Sequence, residues 1–166
     1  MTRTQSAQSP DRPAPAWPGA AAWLALCYAV PFAVSFARPD AWYAALAKPA
    51  WNPPGWVFAP VWTTLYGLMG VAAWLVWRRG GWRTRRGPLT LFVAQLALNA
   101  LWTPLFFGLH RIDLALLDIL LLGAAIVATI VLFRRTSRVA AWLLAPYLLW
   151  VSFASVLTFT IWRLNP

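Results

Sequence analysis

The sequence predicts an all-α integral membrane protein, a bundle of five transmembrane helices. Hydrophobic residues make up 61% of the 166 residues and charged residues only 11%, and the mean hydropathy is +0.60. A soluble domain of this composition would expose far too much apolar surface to water. Five apolar stretches are long enough to cross roughly 30 Å of hydrocarbon at about 1.5 Å per helical residue. Their runs are continuous, without the alternation that is typical of a membrane β-barrel.

The five spans follow one another through short connections. They cover residues 17–37, 57–77, 89–108, 114–133 and 139–162. Residues 1–16 carry charges and prolines and are predicted to be a disordered tail, which leaves residues 17–166 as one membrane domain. The longest connection, residues 38–56, is called the lid below. Prolines lie within or near the ends of four spans, where each removes a backbone donor and favours a bend: Pro31, Pro60, Pro104 and Pro146.

The basic residues predict the orientation of the bundle. Ten of the fourteen Lys and Arg residues lie in the tail and in the second and fourth connections, and four lie on the other side. Because basic residues near span ends are retained in the cytoplasm, we expect the N-terminus inside and the lid and C-terminus outside. The run RRGGWRTRR, residues 78–86, has the composition of a phosphate-binding patch. Anchoring to anionic headgroups explains it already, so no nucleic-acid partner is expected.

Aromatic residues and prolines gather at the mouth of the second span. Residues 48–66 read KPAWNPPGWVFAPVWTTLY. Interfacial tryptophans are ordinary in membrane proteins, but those inside the spans exceed what an aromatic belt requires. Bent helices lined with indoles favour a cavity for a flat aromatic guest, and ordinary helix packing is the alternative.

Familiar catalytic and metal-binding patterns are missing from the sequence. It has one cysteine, Cys27, and one histidine, His110, so neither a disulfide framework nor a protein-built metal site is predicted. His110 is interpreted as an interfacial polar residue or, alternatively, as an axial ligand of a metalloporphyrin. There is no phosphate loop, GxSxG motif or carboxylate pair for hydrolysis. Asp118 is the acid inside a span, and it predicts either a proton or ligand contact or a hydrogen bond that fixes helix packing.

Three segments carry ordered motifs at the ends of the predicted helices. They are KPAWNPPGWVFAPVWTTLYGLMGVAAW at 48–74, NALWTPLFFGLHRIDLALLDI at 99–119 and APYLLWVSFASVLTFTIWRLNP at 145–166. Together they resemble the signatures of the TspO/translocator protein family, the tryptophan-rich sensory proteins that include the peripheral-type benzodiazepine receptor. The resemblance covers roughly residues 42–166.

This resemblance implies a five-helix bundle, commonly a homodimer, whose cavity opens beside the lid. Ligands of the family are porphyrins, including protoporphyrin IX and haem, sterols such as cholesterol, and isoquinoline carboxamide and benzodiazepine drugs. No cofactor is obligatory. By motif matching, the residues implied to line the ligand site are Trp42, Tyr43, Trp51, Trp62, Tyr66, Asn99, Trp102, Phe106, Trp150 and Ala154.

A porphyrin also suits the residues chemically. Indole and phenol rings stack on its flat face, and outer bases are candidates for its propionates: Arg38, Lys48 and Arg111. The family's C-terminal sterol motif corresponds to Leu157, Phe159 and Arg163, with Phe159 where the motif has tyrosine. That departure disfavours sterol binding, and lipid-facing packing with interfacial anchoring is the alternative.

The resulting prediction is a membrane protein that binds porphyrin and acts in tetrapyrrole transport, sensing or stress regulation. One alternative is light- and oxygen-dependent degradation of the porphyrin, with Trp62 or Trp150 as a redox partner. Another is a membrane scaffold that holds lipid or sterol. The bacterial cytoplasmic membrane is the favoured location; the resemblance leaves the outer membrane as the alternative.

Overall fold

The described part of the chain, residues 17–166, is mostly helical in a computed structural model. The predicted disordered tail, residues 1–16, lies outside the described residues. The helices are α1 (Trp17–Ala33), α2 (Ala41–Ala45), α3 (Phe58–Trp77), α4 (Gly81–Thr84), α5 (Arg86–Thr103), α6 (Ile112–Arg134), α7 (Arg138–Leu143) and α8 (Ala145–Leu164). A 3₁₀ turn, Gly55–Val57, precedes α3, and a π-helical turn, Pro104–Gly108, continues α5. Residues 17–166 contain no strand, which confirms the all-α class.

Four helical segments are long and apolar enough to cross a membrane. They are Gly55–Trp77, Arg86–Gly108, Ile112–Thr136 and Arg138–Leu164. Helix α1 is also apolar, but its 17 residues extend only about 25 Å. It packs along α3 as the fifth long helix of the bundle. The protein is therefore an integral membrane helical bundle.

Helix α1 ends before the predicted boundary at residue 37. Its last helical residue is Ala33, and the backbone N–H groups of Ser35 and Ala37 then bond to carbonyls three residues back, at 3.3 and 3.1 Å. Pro31 lies in the last turn, where it has no N–H to donate. The chain tightens there and turns towards the lid.

The last predicted span, residues 139–162, is interrupted near its start. Helix α7 ends at Leu143 and α8 begins at Ala145. Pro146 occupies the first turn of α8, where a missing N–H costs least, so the chain restarts its helix there. Hydropathy does not register this break, because the residues on both sides are equally apolar.

Close helix packing sets the frame around the site. A Cβ at Gly70 of α3 would lie 2.8 Å from Leu24 Cδ2 and 3.0 Å from Leu24 Cα, so the backbones of α1 and α3 nearly touch. Helices α5 and α6 form a hairpin in which the rings of Phe92 and Phe133 stack with centroids 5.9 Å apart. These contacts place the lid at one end of the bundle and the basic connections at the other.

At the basic end, the guanidinium of Arg79 donates a hydrogen bond to the carbonyl of Thr136. This bond joins the turn after α3 to the turn between α6 and α7. The two arginine-rich connections therefore lie side by side, as the charge pattern predicted.

Candidate functional site

A cavity of about 660 Å³ lies beneath the lid, between the end of α1 and helices α3, α5, α6 and α8. Its wall is mostly apolar and aromatic. The helices contribute Pro31, Phe58, Ala59, Trp62, Tyr66, Asn99, Trp102, Thr103, Phe106, Phe107, Ile119, Leu122, Trp150, Val151, Ala154, Leu157, Thr158 and Ile161. The chain between α1 and α3 contributes Val34, Ser35, Ala37, Arg38, Pro39, Tyr43, Asn52, Pro53, Pro54 and Gly55.

Helix α3 presents two stacked rings to the cavity. Trp62 and Tyr66 are one helical turn apart, with ring centroids 5.2 Å apart and an interplanar angle of 30°. The Tyr66 hydroxyl donates a 3.0 Å hydrogen bond to Oδ1 of Asn99 on α5. Because Tyr66 and Asn99 are both buried, this bond orients the phenol and the amide at the cavity wall.

The π-helical turn brings a second aromatic group to the cavity. The N–H of Leu109 bonds to the carbonyl of Pro104 at 2.8 Å, five residues back. Trp102 stacks on Phe106 at 4.9 Å and 20°, and Phe107 packs edge-on against both rings. The wider turn therefore directs two consecutive phenylalanines towards the cavity.

The first half of the lid is docked on the end of that turn. Asp40 caps α2 by accepting a 3.1 Å hydrogen bond from the N–H of Tyr43, and its other oxygen lies 3.1 Å from Nε2 of His110. The His110 ring stacks on Trp42 at 4.2 Å. The Tyr43 N–H, and then the nearby His110, hold the pKa of the Asp40 carboxyl below its ordinary value.

The second half of the lid is held by the C-terminal end of α8. Asn165 Oδ1 accepts from the N–H of Ala47, and Asn165 Nδ2 donates to the Ala47 carbonyl, both at 3.0 Å. Lys48 Nζ lies 4.7 Å from the centre of the Tyr43 ring. The lid thus covers the cavity with a fixed rather than a free segment.

The structure brings eight of the ten predicted ligand residues to the cavity. Those eight are Tyr43, Trp62, Tyr66, Asn99, Trp102, Phe106, Trp150 and Ala154. Trp42 and Trp51 do not line it. The Trp42 indole instead stacks on His110 and packs edge-on against Phe106, a residue that lines the cavity. Trp51 is 47% exposed and packs edge-on against Phe153.

Local geometry explains the two exceptions. Consecutive residues of a helical turn point about 100° apart, so Trp42 faces away when Tyr43 faces the cavity. Trp51 lies within a tight turn in which the N–H of Asn52 bonds to the carbonyl of Pro49 at 3.0 Å. Asn52 and the two prolines after it face the cavity, while the Trp51 indole lies outside.

Sequence reasoning missed part of the wall. On α8, cavity residues recur at positions 150, 151, 154, 157, 158 and 161, the spacing of one helical face. That periodicity was a usable signal for Val151, Leu157 and Ile161. On α6, Ile119 and Leu122 carried no comparable signal, because both faces of this helix are equally apolar.

The three outer bases have different surroundings. Arg111 is engaged by Asp113 through hydrogen bonds of 2.9 and 2.6 Å. Lys48 donates to two lid carbonyls, those of Ala44 and Leu46. Arg38 lines the cavity, donates to the Ser35 carbonyl at 2.7 Å, and forms no ion pair with any residue in the described range.

The residues of the sterol motif do not form one surface. Leu157 is buried and lines the cavity. Phe159 and Arg163, one turn apart, are exposed on the outside of α8, where Phe159 packs against Trp162. Residues two apart on a helix do not face each other, so Leu157 and Phe159 take different faces of α8.

Asp118 lies in the core behind the cavity wall. It is 5% exposed, and neither carboxylate oxygen has a hydrogen-bond partner among residues 17–166. The predicted hydrogen bond to a neighbouring helix is therefore absent from the described range. Asp118 does not line the cavity, although the next residue, Ile119, does.

Fold and site together define a polytopic helical membrane protein with an aromatic, lid-covered cavity. Residues 23–163 match the TspO/MBR family. The chain is 48% identical to the translocator protein of Homo sapiens over 126 residues, 75% of each chain. It is 47% identical over 152 residues to the tryptophan-rich protein TspO of Chlorobaculum tepidum, covering 86% of this chain and 96% of that relative. With the tryptophan-rich sensory protein of Cereibacter sphaeroides it shares 41% identity over 143 residues, 86% and 89% of the two chains.

The chain therefore belongs to the TspO/MBR family. The resemblance inferred from the three sequence segments is confirmed.

Proposed function

We propose that this protein binds a porphyrin, protoporphyrin IX or haem, in the cavity beneath the lid, and that it acts in tetrapyrrole sensing or transport. The observation that carries the proposal is a wall of stacked aromatic rings with one guanidinium, that of Arg38, at its edge and without a carboxylate partner in the described range. A flat apolar macrocycle with carboxylate arms matches both features.

The size and the lining of the cavity support this ligand class. Its volume of about 660 Å³ falls in the range of roughly 300–1,000 Å³ that is usual for small-molecule sites. The paired rings of Trp62 with Tyr66 and of Trp102 with Phe106 stand on different helices. Each favourable ring contact with a bound macrocycle contributes about 0.5–1.5 kcal/mol beyond area burial.

The charge distribution supports an orientation for the ligand. Arg38 lies at the lid end of the cavity, so the propionates would face the lid and the macrocycle would lie deeper. The arginine-rich connections are at the opposite end of the bundle. With these in the cytoplasm, the lid and the C-terminus lie on the outer side of the membrane.

Comparing free and esterified ligands tests the proposal. Protoporphyrin IX and its dimethyl ester would be titrated into the detergent-solubilised protein while tryptophan fluorescence is followed. We expect saturable quenching by both. Arg38→Gln should lower the affinity for the free acid by up to about fivefold, which corresponds to the loss of a solvent-exposed ion pair. The affinity for the ester should not change. Arg111→Gln is the matched control, because Arg111 is already paired with Asp113.

Absence of saturable quenching by either porphyrin would overturn the proposal. If Arg38→Gln lowered the affinity for the free acid and for the ester equally, only the proposed role of Arg38 would be overturned. Porphyrin flux into vesicles that contain the protein separates the two roles: flux above protein-free vesicles indicates transport, and binding without flux indicates sensing.

Light-dependent degradation of the porphyrin is the second candidate. It is favoured by one observation: Trp62 and Trp150, the two indoles assigned to it, both line the cavity. Illumination of bound protoporphyrin IX in air should then bleach its absorbance faster than in a protein-free control. Equal rates would exclude this activity.

A further inference from the structure

A second cleft opens on the outside of the bundle, between residues 60–65 of α3 and residues 146–153 of α8. It has a volume of about 560 Å³ and a nearly all-apolar wall. Leu149, on its rim, is 71% exposed. In a membrane protein such a surface faces lipid.

The cleft and the cavity share one residue of the described chain, Trp150. On α8, Val151 and Ala154 face the cavity, whereas Leu149 and Phe153 face the cleft. On α3, Val61 faces the cleft and its neighbour Trp62 faces the cavity. The Trp150 indole therefore lies between the cavity and the cleft, beside the Trp62–Tyr147 ring contact that also joins α3 to α8.

The surroundings of Trp150 suit a movable partition. Its ring makes an edge contact with Phe58 and a tilted contact with Phe153, both at 5.7 Å between centroids. Pro60 in the first turn of α3 and Pro146 in the first turn of α8 also line the cleft. Each such ring contact adds only a small stabilisation beyond area burial, so the indole can turn at modest cost while both helices stay intact.

Trp150 lies within an apolar segment that is long enough to cross the membrane. The last apolar segment runs from Arg138 to Leu164, 27 residues, and Trp150 lies at its middle. At the water side, the lid is pinned by Asn165 and by the Asp40–His110 contact. A ligand dissolved in the bilayer meets Trp150 without disturbing either lid contact.

We propose that the cleft between α3 and α8 is a membrane-side portal, through which the porphyrin passes between the bilayer and the cavity when the Trp150 indole swings aside. The portal rests on the proposed function, because it supplies a route to the same site. A flat apolar macrocycle partitions into lipid, and an opening on the lipid-facing side admits it edge-on between the two helices. A portal controls the rates of binding and release, whereas the cavity controls the affinity.

Two adjacent threonines provide a matched test. Thr64 lines the cleft and Thr63 does not. Both are exposed on α3, and each hydroxyl donates to the carbonyl four residues back, at 2.8 Å from Thr63 and 3.0 Å from Thr64. The native Cys27 is fully buried, so a maleimide will label an introduced cysteine selectively.

Thr64→Cys and Thr63→Cys would each be reconstituted in lipid nanodiscs and labelled with a bulky, non-fluorescent maleimide. Stopped-flow quenching by protoporphyrin IX then gives the association and dissociation rates. We expect the label at position 64 to slow both rates about tenfold. The Kd should change less than about twofold, because both rates fall together. The label at position 63 should leave the rates at the unlabelled values.

A second pair of variants needs no label. Leu149→Trp adds bulk at the rim of the cleft, and Val156→Trp adds it to the lipid face of the same helix, where Val156 is 58% exposed. Only Leu149→Trp should slow binding. Equal rates within both pairs would overturn the portal while leaving porphyrin binding intact. Failure of the unmodified protein to quench saturably would overturn the proposed function, and the portal with it.

Discussion

The side-chain amide of Asn165 forms a pair of 3.0 Å hydrogen bonds with the backbone of Ala47, across 118 residues of sequence. A third bond, from Asn165 Nδ2 to the carbonyl of Ile161 at 2.8 Å, orients the amide. The end of α8 therefore holds the lid directly. Because Ile161 also lines the cavity, the wall and its cover are connected through one side chain.

Removing this amide should loosen the lid. Asn165→Ala deletes both bonds to Ala47, and each such bond contributes about 0.5–1.5 kcal/mol. We expect amide hydrogen exchange across the lid to accelerate about tenfold or more, without global unfolding. Thr160→Ala is the control, because its hydroxyl bonds only within its own helix. Unchanged exchange in Asn165→Ala would show that other contacts hold the lid.

Acid should release the other half of the lid at a defined pH. The pKa of Asp40 is lowered, first by the N–H of Tyr43 and also by His110, so the docked lid favours the ionised carboxylate. The ionised Asp40 carboxylate therefore stabilises the docked lid above the ordinary aspartate pKa of about 4, and this stabilisation is lost as pH falls below that value. Exchange of the Tyr43 amide, corrected for the intrinsic rate, should therefore rise only below about pH 4.

Asp40→Asn separates charge from capping. Asparagine caps helices about as well as aspartate, so α2 should persist while the acid transition disappears. A transition that survives in Asp40→Asn would assign the pH dependence to another group.

The buried hydrogen bond between Tyr66 and Asn99 should contribute clearly to the stability of the fold. Tyr66→Phe leaves the buried Asn99 oxygen without its donor, a cost of about 1–3 kcal/mol. Thermal unfolding in detergent should show a clear loss of Tm. Tyr28→Phe is the matched control, since Tyr28 donates an exposed 2.8 Å bond to the Thr63 carbonyl. If both variants lose the same Tm, the Tyr66 bond has no special role.

The contact between α1 and α3 predicts a steric effect. Gly70→Ala would place a Cβ 3.0 Å from the backbone of Leu24, and overpacking of this kind costs about 1–3 kcal/mol. Gly123→Ala meets nothing within 4 Å and should be tolerated. Equal unfolding temperatures for the two variants would contradict the close packing of α1.

Several elements could be predicted because lipid selects directly for hydropathy. The apolar segments that form α3, α5 and α6 stand out in the sequence, and the spacing of Trp62 and Tyr66 places them on one helical face. The ends of α1 and α7 could not be found in this way. These helix ends depend on single prolines, and the hydropathy of the residues on either side of each proline is similar.

The lid was harder to predict than the helices. It has little periodicity, so the direction of each ring depends on partners distant in sequence. Trp42 faces His110 because His110 follows the π-helical turn. No local sequence pattern predicts that turn. Leu157 and Phe159 show a related difficulty, since a linear motif does not tell which face of its helix each residue takes.

Ligand affinity in a cavity-filled variant tests the central proposal most directly. Ala154 lines the cavity, and Val156 of the same helix is 58% exposed on the lipid side. Protoporphyrin IX would be titrated into wild type, Ala154→Phe and Val156→Phe, with saturable tryptophan quenching as the readout. We expect Ala154→Phe to weaken binding about tenfold or more, because the ring occupies the ligand's space, and Val156→Phe to bind as wild type does. Equal affinities in all three proteins would contradict binding beneath the lid.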